Sequence, residues 1–358
     1  MGLGFQTTAE PIFSVSSEWS TPWFFGPKWG LGTHLDIHQD LQNGQFPYRN
    51  AEASLQLSYR ASDAVALSLG PTWDEYRVLE SELSADDSIA RLLFGQDFKN
   101  PYQLTTLDGR LTVDWRDDPI LTRRGSFYLL GVRHALPLPA LGDDGVLLPG
   151  FHFTDITVEG RAYRPIRWVK RARDLPWSYA ARAQVRWIGN WGSRDVPYAE
   201  RAFLGGASDL RAFRNQQVGP WEFWCFEDDD RVYAIPRGGL LSGLLASELR
   251  YDAGWGVTWA TFAEVGLLSD RLPSAAELGG ALRTSFGVGL RYQSVVGPIR
   301  LDLAMRPLYP EDAQAPLPPG FEDLVGIRRF DLLPRIRNPN LAEFPVAINL
   351  MLAIGEAM

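Results

Sequence analysis

The 358 residues contain one cysteine, Cys225, which excludes an internal disulfide and any cysteine-based metal cluster. Lysine is nearly absent (Lys28, Lys99 and Lys170), so arginine carries the positive charge. No run of about 18 apolar residues occurs, which excludes a transmembrane helix. Helical spacing of apolar residues is sustained nowhere. The start, MGLGFQTTAEPIF, has neither a basic n-region nor an apolar h-region, and Gln6 breaks the myristoylation pattern. An export signal, where one is needed, is therefore expected outside this chain. No G-x-S-x-G, H-E-x-x-H or phosphate-loop pattern occurs, so neither an enzyme nor a cofactor is expected. The net charge of −8 speaks against nucleic acid as a partner.

Aromatic residues are plentiful, with 13 Trp, 19 Phe and 12 Tyr. The dominant pattern is alternation. In WGLGTHLDIHQ, Trp29, Leu31, Thr33, Leu35 and Ile37 oppose Gly30, Gly32, His34, Asp36 and His38. AEASLQLSYR sets Ala51, Ala53, Leu55, Leu57 and Tyr59 against Glu52, Ser54, Gln56, Ser58 and Arg60. LDGRLTVDWR, WSYAARAQVRW, GWGVTWATFAEVGL, LRTSFGVGLRY, IRLDLAM and FPVAINLMLAI continue it. Successive side chains of a strand point to opposite faces, so each segment is a two-faced strand.

A soluble sandwich alternates as well, with its polar face in water. Two features favour a membrane barrel. The segments are about nine to thirteen residues long, the span a tilted strand needs to cross a bilayer. Aromatic residues sit at segment ends (Trp19, Trp29, Tyr59, Trp73, Trp115, Trp177, Trp187, Tyr251, Tyr292), where interfacial girdles belong. Connections alternate between short (61–63, 117–125, 294–297) and long (77–103, 138–149, 191–239, 309–343), the asymmetry of periplasmic turns and external loops. The fold expected is an all-β, antiparallel transmembrane barrel of about 14 strands, an even number that permits closure. One domain over 1–358 is expected, since no linker or low-complexity tract divides the chain.

Five stretches carry a resemblance. They are VDWRDDPILTRRG (113–125), ERAFLGGASDLRAF (200–213), VGP with IPRGG (218–220 and 235–239), FAEVG (262–266) and GVGLRYQSVVGPIRLDLA (287–304). In that order they resemble the barrel motifs of the BamA/TamA superfamily of outer-membrane assembly and translocation proteins, the bacterial surface antigen family. The resemblance implies a bacterial outer-membrane location and a role in inserting or exporting other proteins without nucleotide. The partners it implies are lipid and lipopolysaccharide, unfolded substrate proteins, and periplasmic POTRA repeats or accessory proteins if an upstream region exists. The other reading left open is a passive pore, or the membrane anchor of a fused passenger.

In that family the sixth external loop folds back into the lumen and sets an arginine against the wall. Motif matching makes the loop 191–239, the loop motif Gly205, Gly206, Leu210, Arg211 and Phe213, and the arginine Arg211. Strand parity selects Glu264 and Asp302 as its partners. Gly287, Gly289, Arg291, Gly297, Pro298 and Arg300 form the strand motif, and Phe344, Ile354, Gly355 and Met358 mark the C-terminal sorting strand.

The chain departs from the family pattern in several places. Ala212 stands where the family has glycine, uncomfortable if φ there is positive. Met358 replaces the usual final aromatic residue. The turn STPWFFGP (20–27) resembles the one after the family's fourth strand, leaving no counterpart for the first two strands or the POTRA repeats. His34, Asp36 and His38 share a face, but two-residue spacing along a strand suits polar lining better than metal ligation. EDDDR (227–231) reads as a solvated acidic tip rather than a calcium site.

Overall fold

The computed structural model describes residues 13–42, 46–78, 102–141, 145, 147–166, 176–219, 221–226, 229–294, 297–307 and 346–354. Phe344, Gly355 and Met358 of the expected sorting strand lie outside the described residues, as do the side chain of Ile354 and all of 1–12 and 308–345.

The strands are β1 (Phe13–Pro22), β2 (Trp29–Gln42), β3 (Phe46–Arg60), β4 (Val65–Val78), β5 (Tyr102–Asp114), β6 (Gly125–Leu136), β7 (Ala140–Leu141), β8 (Leu147–Leu148), β9 (Phe153–Ile166), β10 (Trp177–Asn190), β11 (Trp221–Phe226), β12 (Asp229–Pro236), β13 (Leu241–Gly254), β14 (Val257–Ser269), β15 (Leu282–Ser294), β16 (Gly297–Pro307) and β17 (Val346–Ile354). Helix is confined, among the described residues, to a one-turn 3-10 segment at Tyr198–Glu200 and a short α1 (Ala275–Ala281). No described helix is long and apolar enough to cross a membrane.

Thirteen strands form one sheet in the order β1-β2-β3-β4-β5-β6-β9-β10-β13-β14-β15-β16-β17, and β7-β8 and β11-β12 are separate hairpins. About 14 strands are expected from the alternating segments; thirteen are found in the main sheet among the described residues. The order is a meander, in which successive connections fall at opposite ends of the sheet. Short turns at 23–28, 61–64, 115–124 and 255–256 thus share one end. The segments 137–152, 191–240 and 270–281 share the other.

Alternation in the sequence becomes alternation in exposure. Along β16, Pro298, Arg300, Asp302, Ala304 and Arg306 are buried, while Leu301 and Leu303 are exposed. On β13 it is Ser242, Leu244, Ala246, Glu248 and Arg250 that are buried. Charged residues therefore occupy the covered face, and Leu55, Val185, Leu301 and Leu350 stand exposed on the other. This inversion of a water-soluble fold is what a lipid-facing exterior requires.

The chain forms two compact units. One comprises 1–114, 128–158 and 186–201; the other comprises 115–127, 159–185 and 202–358. The first unit holds a run of rings on its polar face. Tyr48 stacks on Tyr76 at 4.7 Å and Tyr76 on Tyr102 at 5.1 Å, with Phe151 edge-on to Tyr102.

The turn 115–124 shows why its motif is rich in aspartate. Asp117 Oδ1 accepts the backbone N–H groups of Asp118, Arg123 and Arg124. Asp118 Oδ1 accepts those of Ile120 at 2.7 Å and Leu121 at 2.9 Å. Two carboxylates thus satisfy five backbone donors that a turn leaves without ladder partners.

Candidate functional site: an arginine-centred clamp

Segment 202–218 is an irregular excursion closed by bridges Ala202↔Gly239 and Leu204↔Val218. Gly205 and Gly206 have φ of 106° and 116°, in a region disfavoured for residues with a Cβ. A side chain at Gly205 would also run into the Arg214 carbonyl. These glycines let the backbone double back, and Gln216 N–H closes the excursion onto Gly205 O at 3.2 Å. Ala212 is not among the residues with positive φ, so its side chain is accommodated.

The excursion lies with Leu210, Arg211, Ala212 and Phe213 buried. Arg211 is 0% exposed. Its Nε donates to Glu264 Oε1 at 2.6 Å, and its backbone N–H donates to Glu264 Oε2 at 2.8 Å. One carboxylate thus holds both the side chain and the main chain of one residue. Arg211 Nη1 donates to Glu248 Oε2 at 3.2 Å and to Asp302 Oδ2 at 3.3 Å. The ring of Phe262 lies against the guanidinium, 3.3 Å from centroid to Cζ, adding a cation–π contact.

The acids are shared. Glu248 also accepts from Arg250 Nε and Arg291 Nη2, each at 2.6 Å. Asp302 also accepts from Arg300 Nη1 at 3.4 Å. Burying charge is costly unless it is paired and hydrogen-bonded. Four guanidinium groups interleaved with three carboxylates supply that pairing, and arginine suits it because its donors fan out in a plane.

The strands make room for the clamp. Gly289 pairs with Asp302 across β15 and β16, and a Cβ there would collide with the Asp302 carboxylate. A Cβ at Gly287 would stand 2.6 Å from Phe262 Cζ. Side-chain donors also hold the loop backbone. Arg300 Nη2 donates to Ala207 O at 3.0 Å, and Arg182 Nη1 to Ser208 O at 2.7 Å. Ser285 Oγ accepts Ala212 N–H at 3.0 Å, and Asn349 Nδ2 donates to Arg211 O at 2.9 Å.

Gly205, Gly206, Leu210, Arg211, Phe213, Glu264, Asp302, Gly287, Gly289, Arg291 and Arg300 are thus brought together. Gly297 and Pro298 are not; they begin β16 at the short-turn end. Glu248 is a partner that the sequence reading passed over. The signal was present, since Glu248 alternates with the apolar Leu245, Leu249 and Tyr251 in the same way as Glu264 does on its strand.

The first unit holds a second cluster. Arg133 Nη2 donates to Asp74 Oδ2 at 2.5 Å and Nη1 to Glu200 Oε2 at 2.9 Å, with Asp108 at 3.5 Å from Nε. Arg186 Nη2 donates to Glu200 O at 2.7 Å. The start of the 191–239 connection is therefore held by side chain and main chain alike. His38 Nδ1 lies 2.6 Å from Asp36 Oδ2, and no group of metal-binding geometry occurs among the described residues.

An antiparallel sheet with charges on its covered face and a returning loop clamped through one arginine defines a class of barrel protein. Residues 3–321 match the Omp85 superfamily domain, and the chain belongs to that superfamily, in agreement with the motif resemblance. Among solved structures it is similar to BamA from Haemophilus ducreyi, in a crystal structure lacking POTRA domains 1-3. There the identity is 17%, the TM-score 0.62, and the match covers 82% of this chain and 58% of that one. CdiB from Acinetobacter baumannii matches at 11% identity and TM-score 0.48, over 82% of this chain and 46% of that one. The likeness to BamA establishes the fold, that of a barrel; this chain spans just over half of the BamA chain.

Proposed function

We propose that the chain is an outer-membrane barrel that helps insert or export other proteins, using neither nucleotide nor cofactor. The observation that carries this reading is the clamp. A loop folded back with its arginine at 0% exposure against three acids suits a barrel that must stay shut to ions while handling polypeptide. On this reading the covered face is the lumenal wall, the segment 191–239 is the loop folded into the lumen, and Arg211 is its anchor. Lipid, lipopolysaccharide and unfolded outer-membrane or secreted proteins are the partners. Any periplasmic POTRA or accessory partner would dock at the short-turn end. Edge strands supply the chemistry, because unpaired N–H and C=O groups template an incoming strand.

The test is insertion. The purified chain is placed in lipid vesicles, a urea-unfolded outer-membrane barrel protein is added, and its folding is followed by gel mobility. Folding faster than in protein-free vesicles, together with low ion conductance, is expected. Unaccelerated folding with steady conductance would establish the passive-pore reading instead.

A further inference from the structure

Strand β17 reads VAINLMLAI, and Asn349 is the one residue in it with a hydrogen-bonding side chain. Its exposed neighbours Ile348, Leu350 and Leu352 belong to the apolar face. Asn349 sits on the other face, opposite Ala304 of β16, and donates its amide N–H to the main-chain carbonyl of Arg211 at 2.9 Å. Arg211 is buried, and a buried carbonyl left without a donor is costly. Among the described residues β17 has one sheet neighbour, β16. Besides its ladder with β16, β17 thus has a side-chain tie that runs to the clamped excursion rather than to a strand.

We propose that Asn349 is a positioning residue that couples docking of the 202–218 segment to the pairing of β17. While the segment is docked, its Arg211 carbonyl holds β17 from the covered side. When the segment leaves, β17 loses that tie and frays from β16 more readily. Linkage makes the effect reciprocal, so that fraying of β17 loosens the segment by the same factor. The proposal deepens the reading of this chain as a barrel with a docked loop, because β17 is an edge an incoming strand would need.

The experiment uses the whole chain refolded in lipid and needs no substrate, so its outcome is separate from that of the insertion assay. Amide hydrogen exchange is measured over 346–354 and over 203–216. Ser285→Ala removes the acceptor for Ala212 N–H and loosens the segment without touching β17, two strands away. With Asn349 present it should speed exchange in β17 by about threefold to tenfold, the span of one lost hydrogen bond. In an Asn349→Ala background it should add less than about twofold to β17 exchange, since the coupling is already gone. Asn349→Ala alone should speed exchange in both segments. If Asn349→Ala fails to fold, Asn349→Asp keeps the size without the N–H donor and carries the same comparison. Equal Ser285→Ala effects in both backgrounds, or none on β17 in either, overturn the coupling.

Discussion

Glu248 is a carboxylate on which three guanidinium groups converge. It is 0% exposed and accepts from Arg211, Arg250 and Arg291. Removing one member of a buried charge network leaves the others desolvated and underpaired. Glu248→Ala should therefore cost about 3–5 kcal/mol in a lipid refolding titration. Arg211→Ala belongs in the same range, and it should also make 203–216 protease-sensitive and raise conductance. A double-mutant cycle between Arg211 and Glu264 should show coupling above about 0.5 kcal/mol, and additive effects there would mean the clamp is not formed. Asp118 behaves differently, because it sits in an exposed turn. The backbone N–H groups of Leu121 and Ile120 hold its carboxyl below the ordinary 3.8. A depressed value means the turn's extra stability is present above about pH 4 and is lost as pH falls through the folded-state value. Exchange of the Ile120 and Leu121 amides, corrected for intrinsic rates, should accelerate in that acid window, and Asp118→Ala should abolish the pH dependence.

At the scale of a strand, β16 carries both tasks on alternate residues. Leu301 is exposed and Arg300 is buried, donating to Asp302 and to Ala207 O. Leu301→Arg places a charge in the lipid-facing band and should cost about 2–4 kcal/mol near mid-membrane. Its loop should stay protease-resistant. Arg300→Leu should instead release the 203–216 segment to protease, since it deletes a donor to the loop backbone. Loss of loop protection in both variants would contradict the face assignment. Alternation made these strands and their faces readable from the sequence, because burial on one face dictates residue type at every second position. Parity also put Glu264 and Asp302 on the inward side. Glu248 and Asn349 escaped for a different reason. Neither the three-way sharing of a carboxylate nor a bond to a main-chain carbonyl leaves a pattern in sequence. The Arg133–Glu200 pair joins residues 67 apart through no repeated spacing, so it too was invisible.

At the scale of the whole chain, the meander fixes a sidedness that can be checked. Turn 61–64 and connection 270–281 lie at opposite ends of the sheet. In a Cys225→Ser background, a cysteine at Ser274 should react with an impermeant label on intact cells, and one at Asp63 should react only after the outer membrane is opened. The reverse result would invert the topology and place the 191–239 connection at the periplasmic end.

Gly289 facing Asp302 has one more consequence. Alternating strands tolerate a slip of two residues, since every side chain stays on its own face. Here such a slip between β15 and β16 would set Asp302 opposite Gly287, in the space Phe262 fills, or opposite Arg291, away from the gap left by Gly289. In either case Arg211 would lose an acceptor. The returning loop therefore gauges the alignment of the strands beneath it, and a misaligned barrel would be recognisable by a loop that never settles.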